Sequence, residues 1–468
     1  VCGLLLGVTA YGLVCRQYIA ANWTDPNRWE RRISASPHAV FLWSCAEQWI
    51  LGENHRFNAL LAEADNRDWT APRLDSGIRY SLPPDFHPRN VLVVVLESTG
   101  ADSMSLYGSP HRTTPELERL VAERGLVFDN FYVQTPNSCK SLVSLTAGVI
   151  PRLDWWLIVR DCPQFAVPTI AQVLAQRGYR SCFAHSGYWN WKNRDQYLGQ
   201  RGADRLIDAA SLQQPPSNAK TLNSWGVSDR QMFQATLDWI DENRAQPFFA
   251  LAYTIETHHP YTPTGPQTDF GVNDEKHQNY LNALLATDRQ LGWLMDELKR
   301  RGLADDTLVA ITADHGESFG QHNQTVHSFA VYEAAVHVPL VLLHPSFKEL
   351  PDRYLPQVRQ QVDLPYTLIS MLGATPPASW QGQHLLDAAD HRAYFFSTGN
   401  NVACGLRDGD YKYHFYIDSG HEELFHLPND PQEETNLAPQ QAELCRQYRQ
   451  KWGGLIRFQP NFLKRHGG

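Results

Sequence analysis

The stretch Pro136 to Gly148, PNSCKSLVSLTAG, places two kinds of nucleophile side by side, Ser138 and Cys139, with Lys140 next to them. It reads as the opening of a helix, where backbone N–H groups and the helix dipole favour an anion such as phosphate or sulfate. A serine in that place is also a common N-cap. Other groups able to do chemistry follow short apolar runs: Glu97 and Ser98 after NVLVVVL, His185 after SCFA, His258 and His259 after FFALAYTIET, Asp314 and His315 after TLVAITA. Carboxylates, an imidazole and a hydroxyl together suit one divalent cation of the Mn, Zn, Mg or Ca type. Such an ion neutralises an anionic ester and lowers the pKa of a nucleophile.

Groups so far apart in sequence need elements whose ends converge. The β-branched run Val91 to Leu96 predicts a strand buried on both faces, as in a parallel sheet. Amphipathic stretches such as TTPELERLVAERG and TIAQVLAQRGY alternate with the apolar runs. That alternation predicts an α/β architecture, a mostly parallel central sheet with helices on both faces, whose functional groups lie at the carboxyl ends of strands. From about Pro376 the pattern changes to YFFSTG, GDYKYHFYI and EELFHL, followed by the helical QQAELCRQYRQKWGGLI, which predicts a smaller α+β subdomain. The expected organisation is residues 1–20 as the end of a truncated transmembrane helix, 21–88 as a helical connector, 89–375 as the catalytic domain and 376–468 as the C-terminal subdomain of the same unit.

Composition narrows the class. The 468 residues, 43% hydrophobic and 11% aromatic, can bury a large globular core. A net charge of -9 without a dense Lys/Arg run excludes an electrostatic footprint for nucleic acid. Eight scattered cysteines form no Cys-x-x-Cys pair and assign no disulfide. The opening VCGLLLGVTAYGLVC carries no charge before Arg16 and is shorter than the roughly 20 residues of a spanning helix. It reads as the tail of a membrane helix, with an ordinary buried helix as the alternative.

The motifs NVLVVVLESTGADSMSLYG, TTPELERLVAERGLVFDNFYV, NSCKSLVSLTAG, TADHGESFGQH and VYEAAVHVPLVL, in this order over most of residues 89 to 440, resemble the sulfatase-like branch of the alkaline phosphatase superfamily. RDGDYKYHFY and EELFHLPNDPQEETNLA resemble that family's C-terminal signature. The resemblance implies an alkaline-phosphatase-like fold. Sulfatases carry a formylglycine made from the first residue of Cys/Ser-x-Pro-x-Arg. Counting back from Thr146 and Gly148 puts Ser138 at that position, with Lys140 in place of Pro and Leu142 in place of Arg. Formylglycine is therefore not expected, and an unmodified Ser138 hydroxyl is. A hydroxyl nucleophile and a Glu at the first strand end are features of the lipoteichoic acid synthases and phosphoethanolamine transferases.

Carried over residue by residue, the resemblance implies a divalent cation held by Glu97, Ser138, Asp314 and His315. His185, Arg194 and Trp191, in HSGYWNWKNR, match a substrate-contacting segment, and His258, in THHPY, matches a substrate histidine. Arg194, His185, His258 and Lys140 would stabilise the anionic oxygens, with Lys140 as a solvated side chain the alternative. His327 and His322 are candidates to protonate the leaving alkoxide or, alternatively, pack under their loop. Trp189 and Trp191 serve either packing or ligand stacking, Cys139 is a small buried hydrophobe, and His259 faces away from His258.

The function so implied is cleavage or transfer of a phospho-ester group, phosphoglycerol- or phosphoethanolamine-like, on an anionic lipid head group or glycan. The expected location is the plasma membrane, anchored by the N-terminal helix, with the catalytic domain on the extracytoplasmic side. A formylglycine sulfatase and a catalytically degenerate binding protein are the alternatives.

Overall fold

The computed structural model describes residues 63–70, 82–327, 330–397, 402–417 and 419–468. The expected membrane-helix tail at 1–20 and most of the 21–88 connector lie outside the described residues. Among the described residues no helix is long and apolar enough to cross a membrane.

The strands of the central sheet are β1 (Asn90–Leu96), β2 (Gly125–Tyr132), β3 (Arg180–His185) and β4 (Arg205–Ile207). A short hairpin, β5 (Thr221–Asn223) and β6 (Gly226–Val227), stands apart from it. The sheet continues with β7 (Phe248–Tyr253), β8 (Thr307–Ala313), β9 (Leu340–Leu343) and β10 (Tyr354–Gln360). Their order is β10-β2-β9-β8-β1-β7-β3-β4. Every neighbouring pair is parallel except those of β9, which runs antiparallel to β2 and β8. β1, β7 and β8 are buried along their whole length, as expected for strands covered by helices on both faces.

The helices that bear on the site are α1 (Pro115–Arg124), α2 (Ser138–Ala147), α3 (Arg194–Gly199), α4 (Asp229–Glu242) and α5 (Glu275–Arg300). α1 starts on Pro115 and buries Leu117, Leu120 and Val121, the i, i+3, i+4 stripe of an amphipathic helix. α2 is different, because every residue after Ser138 is buried. Its start is capped by the Asn137 side chain, which accepts from the Lys140 N–H, and it ends at Gly148 in the left-handed region, φ 57°.

A four-stranded antiparallel sheet, β11 (Ala393–Ser397), β12 (Ala403–Asp408), β13 (Tyr411–Tyr416) and β14 (Glu422–His426), forms the small C-terminal unit with α6 (Ala442–Arg465). Its core includes Leu406, Tyr413, Leu424, Trp452 and Leu455, together with Ile150 and Val362 from the main body. The two units therefore share apolar side chains across their seam.

The order β8-β1-β7-β3 puts four strand ends next to one another. Leu96 pairs with Ala313, Val95 with Tyr253, and His185 with Tyr253. Register alone thus sets Glu97, one residue beyond β1, beside Asp314, one residue beyond β8.

Candidate active site

Glu97, Asp314 and His315 each offer a ligand atom, and these atoms lie within 4.8 Å of one another. All three are buried. His315 Nε2 is 3.2 Å from Asp314 Oδ2 and 3.8 Å from Glu97 Oε1. The Ser138 hydroxyl, at the start of α2, is 3.2 Å from the same nitrogen. Backbone groups fix the set. Asp314 Oδ1 accepts from the Ser98 N–H at 2.9 Å and the His315 N–H at 2.8 Å, and its Oδ2 accepts from the Tyr253 hydroxyl at 2.5 Å. Ser98 turns the chain at φ 48° and donates its hydroxyl to Glu97 Oε1 at 3.0 Å. His315 Nδ1 lies 2.9 Å from Gly316 O, which places the proton there and leaves Nε2 as the lone-pair donor.

The donor set fits a divalent cation. Burial and the neighbouring Asp314 carboxylate push the Glu97 carboxyl well above its usual range, so a positive charge placed between the two would be strongly favoured. Burial pulls His315 down to about 4, which keeps it in the neutral form that ligates metals. Two carboxylates, one imidazole nitrogen and one hydroxyl converge, a mixed N/O set of the kind Mn, Zn and Mg accept.

Beside this cluster opens a cavity of about 570 Å³. Glu97 and Ser138 lie on its floor side. His185, Trp191, Arg194, Trp225, His258 and His327 form its walls. His185 is held by Tyr253 O at 3.0 Å and by Arg194 Nη2 at 3.3 Å. Burial and the Arg194 charge push it well below the usual imidazole range. Arg194 is 4% exposed, donates to Tyr188 O at 3.0 Å and lies 5.2 Å from the Trp191 ring centre. Its Nε has no hydrogen-bond partner among the described residues. The His258 ring packs against Trp225, tilted at 49° with ring centres 4.3 Å apart, while His259 is exposed. The His327 ring lies 4.1 Å from that of His315, and its Nδ1 is 3.1 Å from Glu317 Oε2. Burial opposes a proton on His327, but the Glu317 carboxylate outweighs it and raises the pKa.

Two expected site residues are not brought to the cluster. Lys140 Nζ donates to the carbonyls of Arg152, at 2.7 Å, and Asp154, and lies 5.0 Å from the Phe396 ring. On a helix of 3.6 residues per turn, positions 138 and 140 stand about 200° apart, so both cannot face the cavity. Burial pulls the Lys140 amine down to about 7. Nor is it a solvated side chain, being 2% exposed. His322 sits in a separate cavity, stacked on Tyr332 at 3.8 Å with Nε2 2.9 Å from Gln432 O. Trp191 is 42% exposed and lines the mouth, whereas Trp189 is a core residue whose indole donates to Phe183 O and Ile207 O. Cys139 is buried, and burial pushes its thiol up to about 11, so it stays protonated.

Sequence reasoning missed Glu317, Tyr253 and Trp225. Glu317 lies within TADHGESFGQH, two residues after His315, and could have been flagged as a carboxylate next to a ligand pair. Tyr253 ends an apolar strand, and Trp225 stands in a two-strand hairpin, with no local signal for either.

A helix-covered, mostly parallel sheet with carboxylates, imidazole and hydroxyl gathered at adjoining strand ends is the alkaline-phosphatase-like architecture. An alkaline phosphatase superfamily protein from Vibrio parahaemolyticus shares the fold, with a TM-score of 0.65 at 22% identity over 88% of this chain and 97% of that one. The chain belongs to the sulfatase family, whose model, described as Sulfatase, matches residues 89–374. Among curated relatives, a lipoteichoic acid synthase of Staphylococcus saprophyticus is 26% identical over 51% of this chain and 37% of its own length. Mouse arylsulfatase K is 31% identical over 58% of this chain and 54% of its own. The chain thus spans about half or less of these two proteins. Within the matched residues lies the buried triad Glu97, Asp314 and His315, able to hold a divalent cation.

Proposed function

We propose that this domain cleaves or transfers a phospho-ester group with the unmodified Ser138 hydroxyl as nucleophile. The observation that carries the reading is the position of Ser138 Oγ, 3.2 Å from His315 Nε2 and open to the cavity. Its neighbours Lys140 and Leu142 stand where the formylglycine motif has Pro and Arg.

Glu97, Asp314, His315 and Ser138 would hold the cation, which when bound supplies the positive charge that lowers the serine pKa and screens the ester. Ser138 loses its proton to solvent. Its Oγ then forms a bond to phosphorus while the bond to the leaving alkoxide breaks on the opposite side, giving a phosphoserine. Arg194 binds the non-bridging oxygens, held in place by His185, whose Nε2 faces its guanidinium, while His258 lines the cavity beside it. His327, whose protonated form the Glu317 carboxylate favours, is the group placed to give its proton to the leaving alkoxide. Water or a second alcohol then forms a bond to phosphorus while the bond from phosphorus to Ser138 Oγ breaks; the acceptor's proton passes to the now neutral His327, and Oγ regains a proton from solvent.

The match to a lipoteichoic acid synthase supports an anionic lipid head group or a glycan of the cell envelope as substrate. With it goes a domain outside the cytosol, tethered by an N-terminal membrane helix. The arylsulfatase K match favours one other reading, a sulfuric ester hydrolase with a formylglycine at Ser138 or Cys139.

Turnover of bis(p-nitrophenyl) phosphate with added Mn, followed by mass mapping of the peptide spanning 137–152, separates them. The expected result is Ser138-dependent turnover, lost at least about a thousandfold in Ser138→Ala as for removal of a nucleophile, retained in Cys139→Ala, with both residues unmodified. A formylglycine at either position overturns the reading.

A further inference from the structure

The two walls of the cavity come from neighbouring strands, His185 at the end of β3 with Arg194 beyond it, and His258 after β7; strand pairing sets His185 beside Tyr253, and past those residues side chains tie the two exits. The side chain that touches both is Asp229, the first residue of α4 and completely buried. Its Oδ1 accepts from the Ser186 hydroxyl at 2.7 Å and from the Ile255 N–H at 2.8 Å. Ser186 directly follows His185. Ile255 begins the turn whose carbonyl accepts from the His258 N–H at 2.9 Å. Oδ2 accepts from the Thr287 hydroxyl of α5 at 3.1 Å and, at 3.4 Å, from the Glu256 N–H. The Asp229 N–H in turn donates to Glu256 Oε1 at 3.0 Å.

The chain entering α4 is clamped to the same place. The Val227 N–H donates to Ser186 O at 2.9 Å, and the hairpin so held carries Trp225 against His258. One carboxylate oxygen therefore ties the β3 exit to the β7 exit, and the hairpin that leads into α4 delivers the indole that backs His258.

We infer that Asp229 is a positioning residue that sets the gap between the His185–Arg194 wall and the His258–Trp225 wall, and thereby the fit of the substrate's anionic group. This rests on the proposed reading that these walls bind the ester oxygens. A carboxylate accepting several donors in a buried site is hard to replace, since each abandoned donor loses its partner. Asp229 bonds none of Glu97, Asp314 and His315, but Thr254 and Thr257 of the same β7 exit bond the Glu97 main chain, so Mn binding has to be read beside phosphate binding.

The test uses the whole chain with Ser186→Ala, Asp229→Asn and the double variant. It reads KM and kcat on bis(p-nitrophenyl) phosphate, inorganic phosphate binding by calorimetry in the presence of Mn, and Mn binding itself. The expected result is a rise in KM and a weakening of phosphate binding of about tenfold in each single variant, the scale of losing one hydrogen bond to a charged group. Mn affinity stays at the wild-type value, and the double variant is no worse than Asp229→Asn alone, because both changes cut one bridge. Unchanged phosphate affinity, strictly additive losses, or Mn binding lost in step with phosphate would overturn the inference and leave Asp229 a general folding residue. Should Asp229→Asn not fold, Ser186→Ala, which removes a single hydroxyl from the same bridge, decides by the same readings. Absence of turnover in the wild type would count against the proposed reaction, while the phosphate titration still judges the bridge; no phosphate binding in the wild type overturns both.

Discussion

Ser138 and Lys140 share one helical turn and serve opposite sides of it. Ser138 opens on the cavity, and Lys140 reaches back to the carbonyls of Arg152 and Asp154 beneath Phe396. The lysine therefore anchors the loop that follows α2 and stays out of the chemistry. Lys140→Met is expected to keep kcat/KM within about threefold while lowering stability by about 1–3 kcal/mol, the cost of two carbonyls left without their donor. Chemical denaturation and initial rates on the same sample check both numbers, and a loss of rate beyond the loss of folded protein would return Lys140 to the site. Side-chain direction explains which residues could be read from sequence. Glu97, Asp314 and His315 follow their strands at once, so strand pairing fixes where they emerge. Lys140 and His322 carried the right chemistry in the right segments, but helix phase turned one away and the stacking of His322 on Tyr332 drew off the other.

At the scale of elements, the hairpin β5–β6 depends on a backbone approach that only glycine permits. A Cβ on Gly226 would lie 2.0 Å from Ser186 O and 2.9 Å from Gly187 Cα, so the hairpin must move for any side chain to fit. Gly226→Ala is expected to shift Trp225 from His258, raising KM about tenfold or more, the scale of displacing an anchored contact. The same variant should quench or red-shift part of the tryptophan emission. Native emission and native KM in a folded Gly226→Ala protein would show that the hairpin does not support the wall. The sequence stretch KTLNSWGVSDR gives little warning of this role, since Trp225, Gly226 and Asp229 act through Ser186 and His258, residues about 30 to 40 positions away in either direction. By contrast α1 and β1 were legible, because an i, i+3, i+4 stripe and an unbroken β-branched run are local signals.

For the molecule as a whole, Glu97, Asp314, His315 and Ser138 draw on β1, β8 and α2, so occupying their site should brace elements far apart in the chain. Added Mn is expected to raise the Tm of the wild type by several degrees, as binding to the native state alone requires, and to leave the Tm of Asp314→Asn unchanged. Scanning calorimetry with and without a chelator checks this, and equal shifts in both proteins would place the ion elsewhere. The sequence by itself determined the α/β class and the run of strand-terminal groups, because apolar periodicity is a property of neighbouring residues. Only the tertiary structure decided which of those groups meet. The order β8-β1-β7-β3 and its register bring Glu97 to Asp314, and helix phase excludes Lys140. Buried bridges through Asp229 and Glu317 hold the histidines at their posts. These are long-range geometric facts, set by packing among segments that no local pattern relates.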